Sequence, residues 1–137
     1  MIIGIAHTAV TARDMDVTLR FYTEALGFRK AFEIKHPKTG EPWIIYLNIC
    51  PGQFLELFYG GVQDNPWNGQ LMGFSHLSLA VDDINVAVQQ VKDAGFPIDS
   101  EPRQGSDHNW QAWLKDPNGV RIELMQIMPD SPQAQFM

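Results

Sequence analysis

Two rhythms of apolar and polar positions run along this chain, and each appears twice. Residues 2–11 and 73–81 are rich in Ile, Val, Leu, Ala and Thr, side chains that suit a pleated surface, and each run predicts an opening strand. An aspartate follows each run, Asp14 or Asp83, a residue type that accepts hydrogen bonds from the free N–H groups at a helix start. Apolar positions then recur at helical spacing: Met15, Leu19, Tyr22 and Leu26 in one stretch, Ile84, Val88 and Val91 in the other. A single apolar stripe predicts a helix lying on one face of a sheet. Gly27 and Gly95 come next and suit the left-handed residue that ends a helix. Three further strands are predicted after each helix, at 28–36, 43–50 and 53–59 and again at 98–103, 108–115 and 120–127, with the turn formers HPKTG, CPG, PRQGSD and DPNG between them.

The order strand, helix, strand, strand, strand is therefore performed twice, and the residues themselves repeat. At an offset of 69, His7 matches His76, Asp14 matches Asp83, Met15 matches Ile84 and Leu19 matches Val88. Later the offset becomes 67, and Trp43 matches Trp110, Tyr46 matches Trp113, Gly52 matches Gly119 and Glu56 matches Glu123. A unit of about 60 residues is too long for a solenoid repeat and right for a small sheet with one helix. The expected organisation is one domain over residues 1–137. It comprises module one at about 2–59, a linker at 60–72, module two at about 73–127 and a polar, proline-broken tail at 128–137.

Composition narrows the partners. With 137 residues, 45% hydrophobic and 19% charged, the chain is an ordinary single globular domain. Its net charge is −6 with no run of Lys or Arg, so it lacks the basic face that nucleic acid requires. No apolar stretch approaches the roughly 20 residues needed to cross a bilayer, so no membrane partner is expected. The opening MIIGIAHTAV has no basic residue before its apolar run and carries His7 within it, which reads as a buried strand and not a secretion signal. Cys50 stands alone, so no internal disulfide is possible, and the cytoplasm is the expected compartment. Without a repeat partner or a base nearby in sequence, Cys50 reads as a small buried hydrophobe.

The repeat also carries the chemistry. His7 and His76 occupy equivalent places on the opening strands, and Glu56 and Glu123 on the closing ones. In FLELF the flanking Leu55 and Leu57 point opposite to Glu56, and in RIELM Ile122 and Leu124 point opposite to Glu123. With the apolar face under the helix, the carboxylates and imidazoles share the other face, beside Phe54, Phe58 and Met125. Two carboxylates in an otherwise apolar cup lose hydration at considerable cost unless a positive centre offsets it. A divalent metal ligated by His7, Glu56, His76 and Glu123 meets that need, and a donor set of two nitrogens and two oxygens accepts Zn²⁺, Ni²⁺, Co²⁺ or Mn²⁺. His36 and His108 lie beside turn signals without repeat partners and read as surface residues, while Trp43 and Trp110 read as core aromatics.

With these residues in hand, the chain resembles the vicinal oxygen chelate superfamily over essentially residues 2–127. The likeness lies in the paired modules, the opening HTAVTARDMDVTLRFYTEALGF and the closing DPNGVRIELMQ. It implies an α+β fold of two tandem βαβββ modules forming curved mixed sheets, the glyoxalase/bleomycin-resistance/dihydroxybiphenyl dioxygenase-like fold. The quartet His7, Glu56, His76 and Glu123 is similar to that of short bacterial glyoxalase I, with Ni²⁺ favoured over Zn²⁺. It implies a lyase of the lactoylglutathione lyase type that isomerises the adduct of a 2-oxoaldehyde and a thiol through an enediolate, with Glu123 as the preferred base and Glu56 as its symmetric partner. It further implies a homodimer in which His7 and Glu56 come from one subunit and His76 and Glu123 from the other. Relatives that use glutathione carry an arginine four residues after the first histidine and an asparagine four after the first glutamate, where this chain has Thr11 and Gly60. Two alternatives stand beside this reading. One is a metal-dependent epimerase or isomerase of another vicinal-oxygen substrate, such as a CoA thioester; the other is a non-catalytic drug-binding resistance module of the same fold, with Trp43, Trp110 and Trp113 as stacking surfaces.

Overall fold

The computed structural model describes all residues 1–137. The chain forms two compact units, Met1–Asp64 and Asn65–Met137, each built on one four-stranded mixed sheet. In the first unit, β1 (His7–Thr11) leads to α1 (Met15–Arg20), a π-helical turn over Phe21–Ala25, β2 (Arg29–Lys35), β3 (Pro42–Cys50) and β4 (Gln53–Phe58). The second repeats the plan with β5 (Leu77–Ala80), α2 (Ile84–Asp93), β6 (Ser100–Gln104), β7 (Trp110–Lys115) and β8 (Arg121–Gln126), and a short 3₁₀ turn at Gln133–Phe136 follows. The sheet orders are β1-β4-β3-β2 and β5-β8-β7-β6, with the opening strand parallel to the closing one and the other neighbours antiparallel. This is the α+β arrangement of two tandem βαβββ modules expected from the repeat. No helix is long and apolar enough to cross a membrane.

Local chemistry starts and stops the helices where the sequence indicates. The Asp14 carboxylate accepts from Val17 N at 3.1 Å, and Asp83 accepts from Asn85 N and Val86 N at 2.9 and 3.1 Å. Satisfying these free donors is worth about 1 kcal/mol per cap. Gly27 (φ +74°) and Gly95 (φ +84°) take the left-handed conformation that only glycine enters without strain, and Phe28 N and Phe96 N close back onto Tyr22 O and Val91 O. The first helix is not regular to its end. Leu26 N bonds Phe21 O, one residue further back than in an α-helix, after the hydroxyls of Thr18 and Thr23 have each bonded a carbonyl four residues earlier.

Side-chain alternation separates core from open face in both sheets. Leu47, Leu55 and Leu57 are fully buried in the first unit together with Phe21 and Tyr22, and Ala112, Leu114, Ile122 and Leu124 are buried in the second, where α2 lies against β6, β7 and β8. At roughly 1.5–3 kcal/mol per large side chain, these layers are the main stabilising term of each unit.

Several expectations need correction. Residues 2–6 are not strand, and Ile2, Ile3 and Ile5 are exposed. The reason is register. His7 stands opposite Phe54, so only Ala6 would have a rung left, at Gln53; before Gln53 the partner strand turns away through Pro51 and Gly52, and residues 2–5 have no ladder to join. The second opening strand is also shorter than expected, starting at Leu77 opposite Ile122, and Leu71, Met72 and Phe74 are exposed. Cys50 is exposed at the turn that ends β3, and is not a buried hydrophobe. Trp110 is 37% exposed because it begins β7, ahead of the buried Ala112 and Leu114; Trp43 is half-buried, its ring edge-on to Phe58. His36 is half-buried, with Nδ1 accepting from Lys38 N and Thr39 N in its own turn, whereas His108 is exposed as expected. The tail is tied down: Ser131 is fully buried, and the Asn109 side-chain oxygen accepts from Met128 N at 2.9 Å.

Candidate functional site

The open face of each sheet carries one histidine and one glutamate, brought together by the same register. In the first unit Ala9 of β1 is the rung opposite Glu56 of β4, and His7, two residues earlier, projects from the same face. His7 Nε2 lies 3.4 Å from Glu56 Oε2, diagonally across the rung that Ala9 makes with Glu56. The second unit repeats this rung for rung. Ser78 is opposite Glu123, His76 lies two residues earlier, and His76 Nε2 is 3.4 Å from Glu123 Oε2. Both carboxylates are buried, with side chains 8% and 7% exposed, while the imidazoles are 45% and 32% exposed. A deeply set carboxylate under a more accessible ring nitrogen leaves each pair open on one side.

Phe54 and Phe58 flank Glu56 along β4, Met125 follows Glu123 on β8, and all three are half-buried on the face of the carboxylates. All four expected ligands are thus on open sheet faces as two matched pairs, one in each unit. No group of three or more His, Cys, Asp or Glu side chains is gathered as a metal cluster. The donors present nevertheless fit a divalent cation: each pair offers one imidazole nitrogen and a carboxylate whose burial is costly without a positive partner.

The pairs differ on their other side. Across β3–β4, Tyr46 is the rung partner of Glu56, and its hydroxyl donates to Glu56 Oε1. That bond to a carboxylate, aided by desolvation and the Glu56 charge, raises the Tyr46 phenol above its ordinary value of 10.0, so it remains a neutral donor near neutrality. Across β7–β8 the equivalent rung partner of Glu123 is Trp113, whose indole N–H donates instead to Gln111 Oε1 at 2.8 Å, and whose ring meets His76 edge-on at 4.8 Å. Glu56 therefore has a hydroxyl tether that Glu123 lacks.

Two further groups at the second site were not singled out from sequence. Arg121, two residues before Glu123 on the same face of β8, places its guanidinium 3.7 Å from the ring centre of Trp67 and 4.8 Å from that of Trp113. The Tyr46/Trp113 difference was visible as a mismatch in the repeat; the meeting of Trp67 with Arg121 has no local signal.

Comparison with known proteins follows the same lines. The model of the Glyoxalase/Bleomycin resistance protein/Dioxygenase superfamily matches residues 4–124. Proteins named probable lactoylglutathione lyase from Vibrio cholerae and Vibrio parahaemolyticus are similar to this chain, at 32% identity over 129 residues and 31% over 127, and each match covers 89% of both chains. Among solved structures, a glyoxalase family protein from Enterococcus faecalis is similar with a TM-score of 0.77 and 25% identity, covering 90% of this chain and 97% of that one.

Proposed function

Because the chain belongs to the Glyoxalase/Bleomycin resistance protein/Dioxygenase superfamily, we propose that it is a metal-dependent lyase of the lactoylglutathione lyase type, acting on the adduct of a 2-oxoaldehyde and a thiol. His7 and Glu56 of one module and His76 and Glu123 of the other hold one divalent cation, Ni²⁺ or Zn²⁺, with Co²⁺ and Mn²⁺ compatible with the same donors. When bound, the cation supplies Lewis-acid polarisation of the substrate's two adjacent oxygens. The observation that carries this reading is the matched pair geometry: in each module a buried glutamate faces an imidazole Nε2 at 3.4 Å from an open sheet face.

The chain's own groups divide the work. Glu123, which no hydroxyl holds, accepts the proton from the hydroxyl-bearing carbon of the adduct and returns it to the neighbouring carbonyl carbon. A hydroxyl proton passes between the two oxygens, so the ketone becomes an alcohol, the former alcohol carbon becomes a thioester carbonyl, and no oxidant is consumed. Glu56, tethered by Tyr46, keeps its place beside His7 and is the symmetric partner in this scheme. Phe54, Phe58 and Met125 bound the face with apolar surface and limit water at the reacting carbons.

The two modules work as one domain, and two copies of the chain pair so that each site draws one His–Glu pair from each subunit. The exposed apolar side chains leading into both histidines support this pairing: Ile2, Ile3 and Ile5 before His7, and Leu71, Met72 and Phe74 at the same spacings before His76. Elemental analysis of the purified protein should find stoichiometric divalent metal, and methylglyoxal should be consumed in a thiol-dependent way. Glu123→Gln should abolish that turnover while leaving the fold intact. Full activity in the variant, or a metal-free protein that turns over normally, overturns the proposal.

A further inference from the structure

Arg121 is the group at the second site that the proposed reaction does not use. It makes no hydrogen bond or ion pair, although it is half-buried and its strand neighbour on the same face, Glu123, is an acid. The carboxylate of Glu123 turns to His76, and the cation beside Arg121 across the strand pair, Lys115, reaches Asp99 at 3.5 Å. The guanidinium is held by ring faces alone, those of Trp67 and Trp113.

That mode of holding has a chemical consequence. Stacking uses the flat faces of a guanidinium and leaves its N–H donors, which lie in the plane, unspent. Held between indoles the side chain has also lost much of the freedom it would otherwise give up on binding, so a planar oxyanion meets a fork already set in place. Two residues along a strand put the backbones of Arg121 and Glu123 about 6.6 Å apart on one face, and the guanidinium lies against Trp113, the rung partner of Glu123, so it stands beside the proposed reacting site. Thr11 and Gly60 offer no charge, and Arg29, the cation on the first module's open face, already donates to Asn48 Oδ1 at 3.4 Å.

We infer that Arg121, clamped by Trp67 and Trp113, is a specificity residue that takes an oxyanion, carboxylate or phosphate, on the carrier portion of the substrate. This rests on the reading of the His–Glu pairs as the reacting site. It narrows the substrate to adducts or thioesters of an anionic carrier, with neutral thiols served poorly.

The test reads binding and not turnover. Tryptophan fluorescence of the chelator-treated full chain is titrated with S-methylglutathione, which carries two carboxylates, with its dimethyl ester, and with coenzyme A, whose anionic groups are phosphates. Wild type should bind at least one of the two anionic probes, and Arg121→Ala should weaken that binding about 10- to 100-fold, the worth of a charge-assisted hydrogen-bonded contact. Arg121→Lys, which keeps the charge and loses the fork, should fall between them, and the ester should bind wild type as weakly as the acid binds Arg121→Ala. Preference for S-methylglutathione identifies a carboxylate carrier, and preference for coenzyme A a phosphate one. Three results overturn the inference: no anionic probe binds wild type at millimolar concentration, ester and acid bind alike, or Arg121→Ala, with an unchanged melting temperature, binds within twofold of wild type. In that last case Arg121 only fastens Trp67 to the sheet. Loss of methylglyoxal turnover with Arg121-dependent anion binding intact refutes the proposed reaction alone. Turnover with no Arg121-dependent binding refutes the inference alone.

Discussion

Asn109→Ala tests how the last ten residues are held against the second module. Asn109 is fully buried, its Oδ1 accepts from Met128 N at 2.9 Å, and its Nδ2 donates to Asp107 Oδ2 at 3.1 Å and to Gln133 Oε1 at 3.4 Å. Truncation leaves the Met128 N–H without its acceptor, a loss of about 1–3 kcal/mol, and removes the donor to the half-buried Asp107, worth about 1 kcal/mol after allowing for its contact with solvent. The expected destabilisation is about 3 kcal/mol. A 137-residue chain has an unfolding entropy of about 0.3 kcal/mol per kelvin, so the melting temperature should fall by about 10 K. Thermal melts followed by circular dichroism, supported by urea midpoints, measure it. Gln133 is exposed and its bond is long, so Gln133→Ala should cost less than about 0.5 kcal/mol. A fall of less than about 3 K for Asn109→Ala, or an equal fall for Gln133→Ala, refutes the reasoning.

Chelation should lower the melting temperature by about 9 K for a cation present at 100 times its dissociation constant, equivalent to about 2.7 kcal/mol, and both Glu56→Gln and Glu123→Gln should abolish that shift. A shift that neither substitution changes removes both carboxylates from the ligand set. The hydroxyl of Thr8 is buried without a partner, so Thr8→Val, which keeps the shape, should raise stability by about 1 kcal/mol in a urea titration; destabilisation would show that the hydroxyl is satisfied in solution. Asp83→Ala removes the acceptor for Asn85 N and Val86 N, and should cost about 1 kcal/mol and speed amide exchange in the first turn of α2 while leaving later turns unchanged.

What could be read from sequence was whatever period and repetition express. Alternation put Leu55 and Leu57 on one face and Glu56 on the other, and duplication singled out His7 and His76 from the four histidines, so the pairs were legible before any coordinates. The limits of the strands were not. A run such as Ile2 to Ile5 has strand propensity whether or not a partner exists, and the partner's absence is decided by the turn at Pro51 and Gly52, some 50 residues away. The Tyr46–Glu56 bond was hidden for a similar reason, because it depends on which rung of β3 faces which rung of β4, and a shift of one residue would turn Tyr46 to the core. Trp67, in a segment that reads as linker, gave no indication that it would cover a guanidinium on β8.

Duplication hands a protein two of everything, and two unaltered copies would make their carboxylates interchangeable. The phenol opposite one glutamate and the indole opposite the other end that parity. A carboxamide at position 56 must still answer to a hydroxyl that has lost its charged acceptor, whereas at position 123 it inherits no such obligation. The same edit therefore has two different outcomes, and the halves of this molecule are not spares for one another.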